Sequence, residues 1–544
     1  MNTRQLQTDK NQKLYHALLG ILLVCALAMM MLLSYWACKY SYYGAVDGRT
    51  RGVLVGDKTW AHIAVFLAAS LCTMGIDKVL MKKDKSQQEK ICLCTLIVTS
   101  VIAFILGVFY VCKNPYYPVG DQINTTAFAA YCRDGNFSML SIGGYVGMYQ
   151  QQKGLAILYE ILFTLFGDLN YRPAKILHVV WWILTILAGY GFLKLNTDRP
   201  VFRMLYCVMM LGCFPLLFYL PYIYGDVLSI SFGIILFYGV AAYEHSGQKR
   251  YIALASFAAG LAVLARKNTW IVLVAVAVYV LLVSLRKKKV RYLMAGTAIL
   301  LTAALSVKAV DVIYEVRSGY PSGVGIPSIL WVAMGLQETE GRAGVYNRYQ
   351  QATFTDYDCQ QELAAQQGKE YIRERLEEFS QDPGMAFNFF KNKVEGQWIE
   401  PMYAALESTE SFEEGAELSP VLESLYYGEL GRTIWKLTNY YQSILYLAGL
   451  MALVMLGILW WKKKEVPISL WLPWIAVFGG FLFSILWEAK SRYVFPYCVF
   501  MILYAPEGLY QTGLLLCKLP KLRKFKKSGH TQDKGEEAPL RETA

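Results

Sequence analysis

Metal-ligand spacing is missing from this 544-residue sequence: it has no Cys-x-x-Cys pair and only five scattered His. Most of its 12 Cys, among them Cys25, Cys72, Cys92, Cys94, Cys207 and Cys213, fall inside apolar runs. There Cys behaves as a small hydrophobe, so a zinc centre is excluded. Charge is also scarce, at 17% against 55% hydrophobic residues, and the mean hydropathy of +0.32 rules out an ordinary soluble enzyme. A continuous basic face is absent, because the net charge of +12 is divided among short clusters. A polynucleotide partner would need such a face, so nucleic acid is excluded. No internal repeat of the kind that marks secondary transporters appears. The only low-complexity stretch is the polar tail after Lys527, expected to be disordered. No small-residue cleavage site follows the first apolar run, which is too long for a signal-peptide core and reads as a retained anchor.

What the chain has in quantity is apolar runs of about 18 residues or more, each able to cross a ~30 Å hydrocarbon core. Candidate spans are 17–36, 60–76, 91–112, 175–193, 203–220, 226–243, 251–265, 269–285, 292–310, 441–461, 467–487 and 493–516. The fold class is therefore an all-α polytopic membrane protein with about 12 spans. Lys82-Lys83-Asp84-Lys85, Arg286-Lys287-Lys288-Lys289, Lys462-Lys463-Lys464 and the tail from Lys521 to Lys527 mark cytoplasmic loops by the positive-inside rule. Walking the topology from both ends gives one answer only if Gly154–Phe166 does not cross. At 13 residues that run is short and suits an interfacial position.

The boundaries that follow are an N-terminal two-helix extension at 1–90 and a membrane core at 91–310 whose outer loop spans 113–174. After them come a mostly helical extracytoplasmic domain at 311–440, C-terminal spans at 441–517 and a basic cytoplasmic tail, disordered, at 518–544. The 311–440 segment is rich in acids, and Leu363, Ile372, Leu376 and Phe379 follow a rough helical spacing.

The topology collects Asp121, Lys153, Asp226, Arg266, Lys267, Glu488, Lys490 and Arg492 on the outer side. Ionisable groups at membrane depth cost about 2.5–3.5 kcal/mol each, which makes them functional candidates. Asp121 lies in Asn114-Pro-Tyr-Tyr-Pro-Val-Gly-Asp-Gln122, a rigid turn at the mouth of a span. Cations with this placement suit a lipid phosphate, Arg being able to bind it bidentately. A carboxylate suits the removal of a proton from an incoming hydroxyl. A phosphate leaving group is already near its stable anion, so cationic clamping can replace a general acid. Plainer roles also fit. Asp121 and Asp226 could cap helices, while Arg266, Lys267 and Lys153 could be interfacial cations. Arg492 could pair with Glu488 four residues earlier, and the 39 Tyr and 13 Trp suit an interfacial belt.

In order, Asp121, Lys153, Phe166-Gly-Asp-Leu-Asn-Tyr-Arg172, Asp226, Leu264-Ala-Arg-Lys267 and Glu488-x-x-x-Arg492-Tyr493 resemble the GT-C superfamily of membrane glycosyltransferases. The likeness is to its bacterial branch of protein O-mannosyltransferase and aminoarabinose transferase type. Met334-Gly-Leu336 and Gly344-Val-Tyr-Asn347 are similar to segments of bacterial members. The resemblance covers about residues 91–517. It implies inverting transfer from a polyprenyl-phosphate sugar to a saccharide, lipid or protein acceptor on the extracytoplasmic face of a bacterial plasma membrane. Asp121 and Asp226 would be catalytic, Asp121 as the base and Asp226 orienting the acceptor or a cation. Lys153, Arg266, Lys267 and Arg492 would bind the donor phosphate, with Gln152, Glu488 and Tyr493 in support. Some relatives carry Glu where Gln152 stands, which leaves a divalent cation open, and no metal ligand is assigned. The spans at 17–36 and 60–76 have no counterpart. The alternatives are a transporter or flippase of a lipid-linked saccharide, and a polysaccharide polymerase or ligase. The missing repeat weighs against the first, and the acidic 311–440 segment against the second.

Overall fold

A computed structural model describes residues 3–43, 53–323 and 325–529. Among the described residues the secondary structure is helical apart from two antiparallel strand pairs, Tyr40–Tyr43 with Val53–Gly56 and Glu338–Thr339 with Arg342–Ala343. Among the described residues, nine helices are long and apolar enough to cross a membrane, which makes the architecture that of a multi-pass membrane protein. One of them, Lys85–Lys113, shows how sequence sets the outer surface. Leu93, Ile97, Val101, Ile105 and Phe109 recur every fourth residue and all are exposed, forming one stripe that lipid can cover. The same helix starts on Asp84, whose carboxylate accepts the Gln87 N–H at 2.8 Å, an N-cap that satisfies one free donor.

Three of the twelve expected spans differ from the nine. The 203–220 run divides into Pro200–Leu211 and Phe214–Phe218, because Gly212 ends the first helix and Pro215 opens the next. The 493–516 run divides into Ser491–Met501 and Ala505–Gly529, the second with Pro506 in its first turn. The 251–265 run forms Lys249–Ala265, a 17-residue helix packed between Asp226–Ser246 and Val290–Ser318. The short helix Lys153–Phe166 is amphipathic and is not among the nine. Asp226–Ser246 is the most enclosed of the long helices and packs chiefly against Arg172–Asn196 and Lys249–Ala265.

Domain edges move as well. Val290–Ser318 and Glu429–Trp461 extend past the expected limits of 311 and 440, so the segment between membrane helices is 319–428. It is mostly helical and is tied down firmly. Trp398 is fully buried, and its indole N–H donates to Ser484 Oγ at 3.0 Å. Replacing such a ring with Ala costs roughly 3–5 kcal/mol. The N-terminal pair of helices is no appendage. Thr3–Lys39 packs on Glu429–Trp461, and Thr59–Leu80 packs on Ala505–Gly529. The strand pair between them bonds to the 319–428 segment through Tyr42 N–H and the Ile399 carbonyl, at 2.9 Å. The tail expected to be disordered from 518 stays helical to Gly529; residues 530–544 lie outside the described part.

Candidate functional site

A polar cavity of about 1150 Å³ lies between the membrane helices and the 319–428 segment. Its lining includes Asp121, Gln152, Arg266, Lys267, Glu488, Arg492 and Tyr493. Residues scattered over more than 370 positions thus meet in one space.

Asp121 is the first residue of the helix Asp121–Arg133, after Gly120. It does not cap that helix with its side chain. The carboxylate is exposed and accepts a hydrogen bond from the Tyr145 hydroxyl at 2.8 Å. Burial, followed by the charges of Tyr224 and Asp121, pushes the Tyr145 phenol far above its usual range, so it remains a donor. This one bond leaves the other carboxylate oxygen free to meet a proton in the cavity.

Asp226 does not line the cavity; it lies behind it. It is 2% exposed and holds Arg266 in an ion pair, with Arg492 Nε 3.9 Å from the same oxygen. Its helix is not capped by its side chain either. Pro221-Tyr-Ile-Tyr-Gly225 supplies the surroundings. Gly225 packs against the Ala265 carbonyl, where a Cβ would collide, and this close approach sets Tyr222 and Tyr224 beside the arginines. The Arg266 guanidinium lies 5.5 Å from the Tyr224 ring and 5.4 Å from that of Tyr493. Arg492 sits 5.3 Å from Tyr222, 5.4 Å from Tyr224 and donates to the Tyr222 hydroxyl. These aromatic and anionic contacts stiffen both forks and compensate part of their burial. Arg492 therefore does not form the i,i+4 pair with Glu488. Glu488 instead accepts from the Tyr493 hydroxyl at 3.3 Å.

Lys153 is placed elsewhere. Its ammonium, 3% exposed, meets Asp311 at 2.5 Å and Ser322 Oγ at 2.8 Å, and it does not line the cavity. Asp311 lies 158 positions away, too far for any local pattern to announce the pair. Gln152 donates to the Tyr224 hydroxyl at 2.5 Å, which steadies that ring under Arg266. Lys267 is exposed and Lys490 half-buried in the lining, and neither has an ion-pair partner within 4 Å among the described residues. With Arg348, which is exposed in the same lining, they are the cations most available to a ligand.

The sequence reading missed three groups in the lining, the buried Lys393 and Glu400 and the partly exposed Tyr145 just described. Burial pushes the Glu488 carboxyl up to about 7, with Lys490 opposing and Asp121 adding to the rise. Burial likewise raises Glu400 to about 7, although its carboxylate accepts the Met402 N–H at 2.8 Å and the Ala404 N–H at 2.5 Å. Those bonds hold Tyr403 and Ala404 in left-handed backbone, so Glu400 shapes the wall. Lys393 is lowered to about 7 by burial and donates to the Gly335 carbonyl. Glu400 was visible only as one of many acids, and Lys393 gave no signal at all.

Around Asp121 the neighbouring side chains Tyr145, Gln122 and Asn124 are neutral. Among the described residues no three His, Cys, Asp or Glu gather into a group that could hold a metal ion. No protein-family model, curated protein or solved structure matches this chain.

Proposed function

We propose that the protein is an integral membrane glycosyltransferase that takes sugar from a polyprenyl-phosphate donor on the extracytoplasmic face of the plasma membrane. The observation that carries this reading is the joint presence, in one cavity, of the exposed Asp121 carboxylate and the buried guanidinium forks of Arg266 and Arg492. The donor phosphate binds to Arg266, Lys267 and Arg492, with Lys490 at the same rim. Asp121 takes the proton from an acceptor hydroxyl, and that oxygen forms a bond to the anomeric carbon. The anomeric C–O bond to phosphate breaks, and polyprenyl phosphate leaves as an anion held by the cations. Attack opposite the leaving group inverts the anomeric centre. Asp226, buried behind the arginines, positions them and does not touch substrate. Lys153 serves the fold through Asp311.

A transporter of lipid-linked saccharide is less well supported, because these charges belong to helix ends. Asp121, Asp226 and Arg492 open helices, and Arg266 follows one. Binding of ³²P-labelled undecaprenyl phosphate to the full chain in nanodiscs tests the donor assignment. Lys267→Gln is expected to raise Kd about tenfold, the worth of one charge-assisted hydrogen bond. Equal competition by uncharged polyprenol would sink the reading.

A further inference from the structure

One wall of the cavity is aromatic from end to end, and the donor chemistry does not use it. Tyr145, which holds Asp121, has its ring centroid 5.1 Å from that of Tyr149. Tyr149 meets Trp331 edge-on at 6.3 Å. Trp331 stacks on Trp487 at 5.9 Å with the planes 4° apart. All four side chains line the cavity and are partly exposed, and Trp487 immediately precedes Glu488. The wall thus runs from the Asp121 carboxylate to the loop that carries Glu488 and leads into the helix of Arg492.

Its construction is specific. Trp331 stands on the short helix Ile329–Gly335, which reaches the Tyr145–Tyr149 turn through Ile326 N–H and the Met148 carbonyl at 3.0 Å. At the other end Gly335 packs directly on the Leu486–Trp487 backbone, where any Cβ would collide. The Gly344 carbonyl accepts the Ala489 N–H at 2.7 Å, and Lys393 clasps the Gly335 carbonyl. The segments Met334-Gly-Leu336 and Gly344-Val-Tyr-Asn347 therefore serve to hold two tryptophans, 156 positions apart, in register.

We propose that Tyr149, Trp331 and Trp487 form the acceptor subsite and that the acceptor is a saccharide, whose pyranose face stacks on these rings. The proposal rests on the transferase reading and names its second substrate. A pyranose presents polarised C–H bonds on a face and hydroxyls at its rim. Indole and phenol rings present negative faces that attract the former. The rim hydroxyls meet polar groups of the same lining, Gln151 and Asn392 beside the wall and the carboxylates Asp121 and Glu488 at its ends. A hydroxyl directed toward Asp121 is the one that loses its proton. An acyl chain would satisfy the rings but bring no hydrogen-bond donor to the carboxylates, whereas a saccharide brings several.

Saturation-transfer difference NMR on the full chain in nanodiscs tests this, with cellobiose, mannobiose and N-acetylglucosamine as saccharide probes and the tripeptide Gly-Ser-Gly as the competing chemistry. Saturation is expected to reach ring C–H protons of at least one saccharide. The affinity should fall about three- to tenfold in Trp331→Ala and in Trp487→Ala, as stacking contributions imply, and recover in Trp487→Phe. Recovery in the aromatic variant separates a lost stacking face from a damaged fold. Trp60→Ala, at a ring 70% exposed outside the cavity lining, should change nothing. Equal transfer in parent and both Ala variants, transfer to the tripeptide alone, or none to any saccharide overturns the proposal. Loss of saccharide contact with lipid-phosphate binding intact strikes this subsite only, whereas loss of lipid-phosphate selectivity strikes the transferase reading itself.

Discussion

The two ends of the membrane part use their buried charges differently. At the end marked by basic loops, charges close on one another. Arg203 grips Glu89 through two bonds of 2.6 and 2.9 Å, and Arg199 meets Asp77 at 3.1 Å. Glu244 gathers Lys287 at 2.9 Å, the Tyr279 hydroxyl at 2.8 Å and the Ser469 N–H at 2.9 Å. Ser469 continues to Asn196 at 2.8 Å, which ties this cluster to the end of the helix Arg172–Asn196. At the opposite end charges surround open space. Lys267 and Lys490 have no ion-pair partner there among the described residues. Glu400, Glu488 and Lys393 are all brought near neutrality by burial. Buried charge without full compensation is a cost to folding. Its concentration around one cavity is the pattern of a site, whereas the paired end is the pattern of a joint.

Four measurements can break or sharpen that contrast. The largest effect is all-or-none. Single cysteines at Asp168 and Arg199, in a background with all 12 native cysteines replaced, should label from opposite sides of a sealed membrane. Labelling of both from one side would merge the two ends and undo the comparison. Next, Glu244→Ala should cost about 3–5 kcal/mol in chemical unfolding, because it strands Lys287 and two further donors. Undecaprenyl phosphate binding should be untouched by it. Lys267→Gln should do the reverse, with stability within about 0.5 kcal/mol of the parent. If both variants change the same property, the ends are not functionally distinct.

The smallest effect is in pH dependence. Glu488 and Glu400 have folded pKa values of about 7, above the ordinary 4.5, so the folded state holds more protons than the unfolded one between those values. Their contribution to stability therefore falls as pH rises from about 4.5 to 7. Lys393, at about 7 against an ordinary 10.5, works in the other window: the unfolded state binds more protons, and stability rises from about 7 to 10.5. Glu488→Gln should flatten the lower limb and Lys393→Met the upper one in denaturant titrations across pH. A shape unchanged by either variant would show that these groups are not buried as described.

Much of the fold could be read from apolar runs and basic clusters, because span length and loop charge are local properties. Nine long helices and the shortness of 154–166 follow from composition alone. The breaks at Gly212 and before Ala505 were hidden inside continuous apolar sequence, since hydropathy does not register backbone punctuation. For the site, the topology walk was sufficient to bring Asp121, Arg266, Glu488 and Arg492 to one side, and the cavity contains all four. It could not foresee which cation would be consumed by a structural pair. Lys153 looked like Lys267 until Asp311 met it. Nor could it separate working aromatics from the interfacial belt: Tyr145, Trp331 and Trp487 differ from other rings only through partners distant in sequence.

Asp121 is the residue on which the functional proposal turns. The direct test supplies a polyprenyl-phosphate donor carrying a radiolabelled sugar to the full chain and to Asp121→Asn, both in nanodiscs, and follows release of polyprenyl phosphate. The expected result is turnover in the parent, slowed at least about 100-fold in the variant, with donor binding and thermal stability retained. Equal turnover in the two proteins, or none in the parent with any polyprenyl-phosphate sugar, would contradict the assignment.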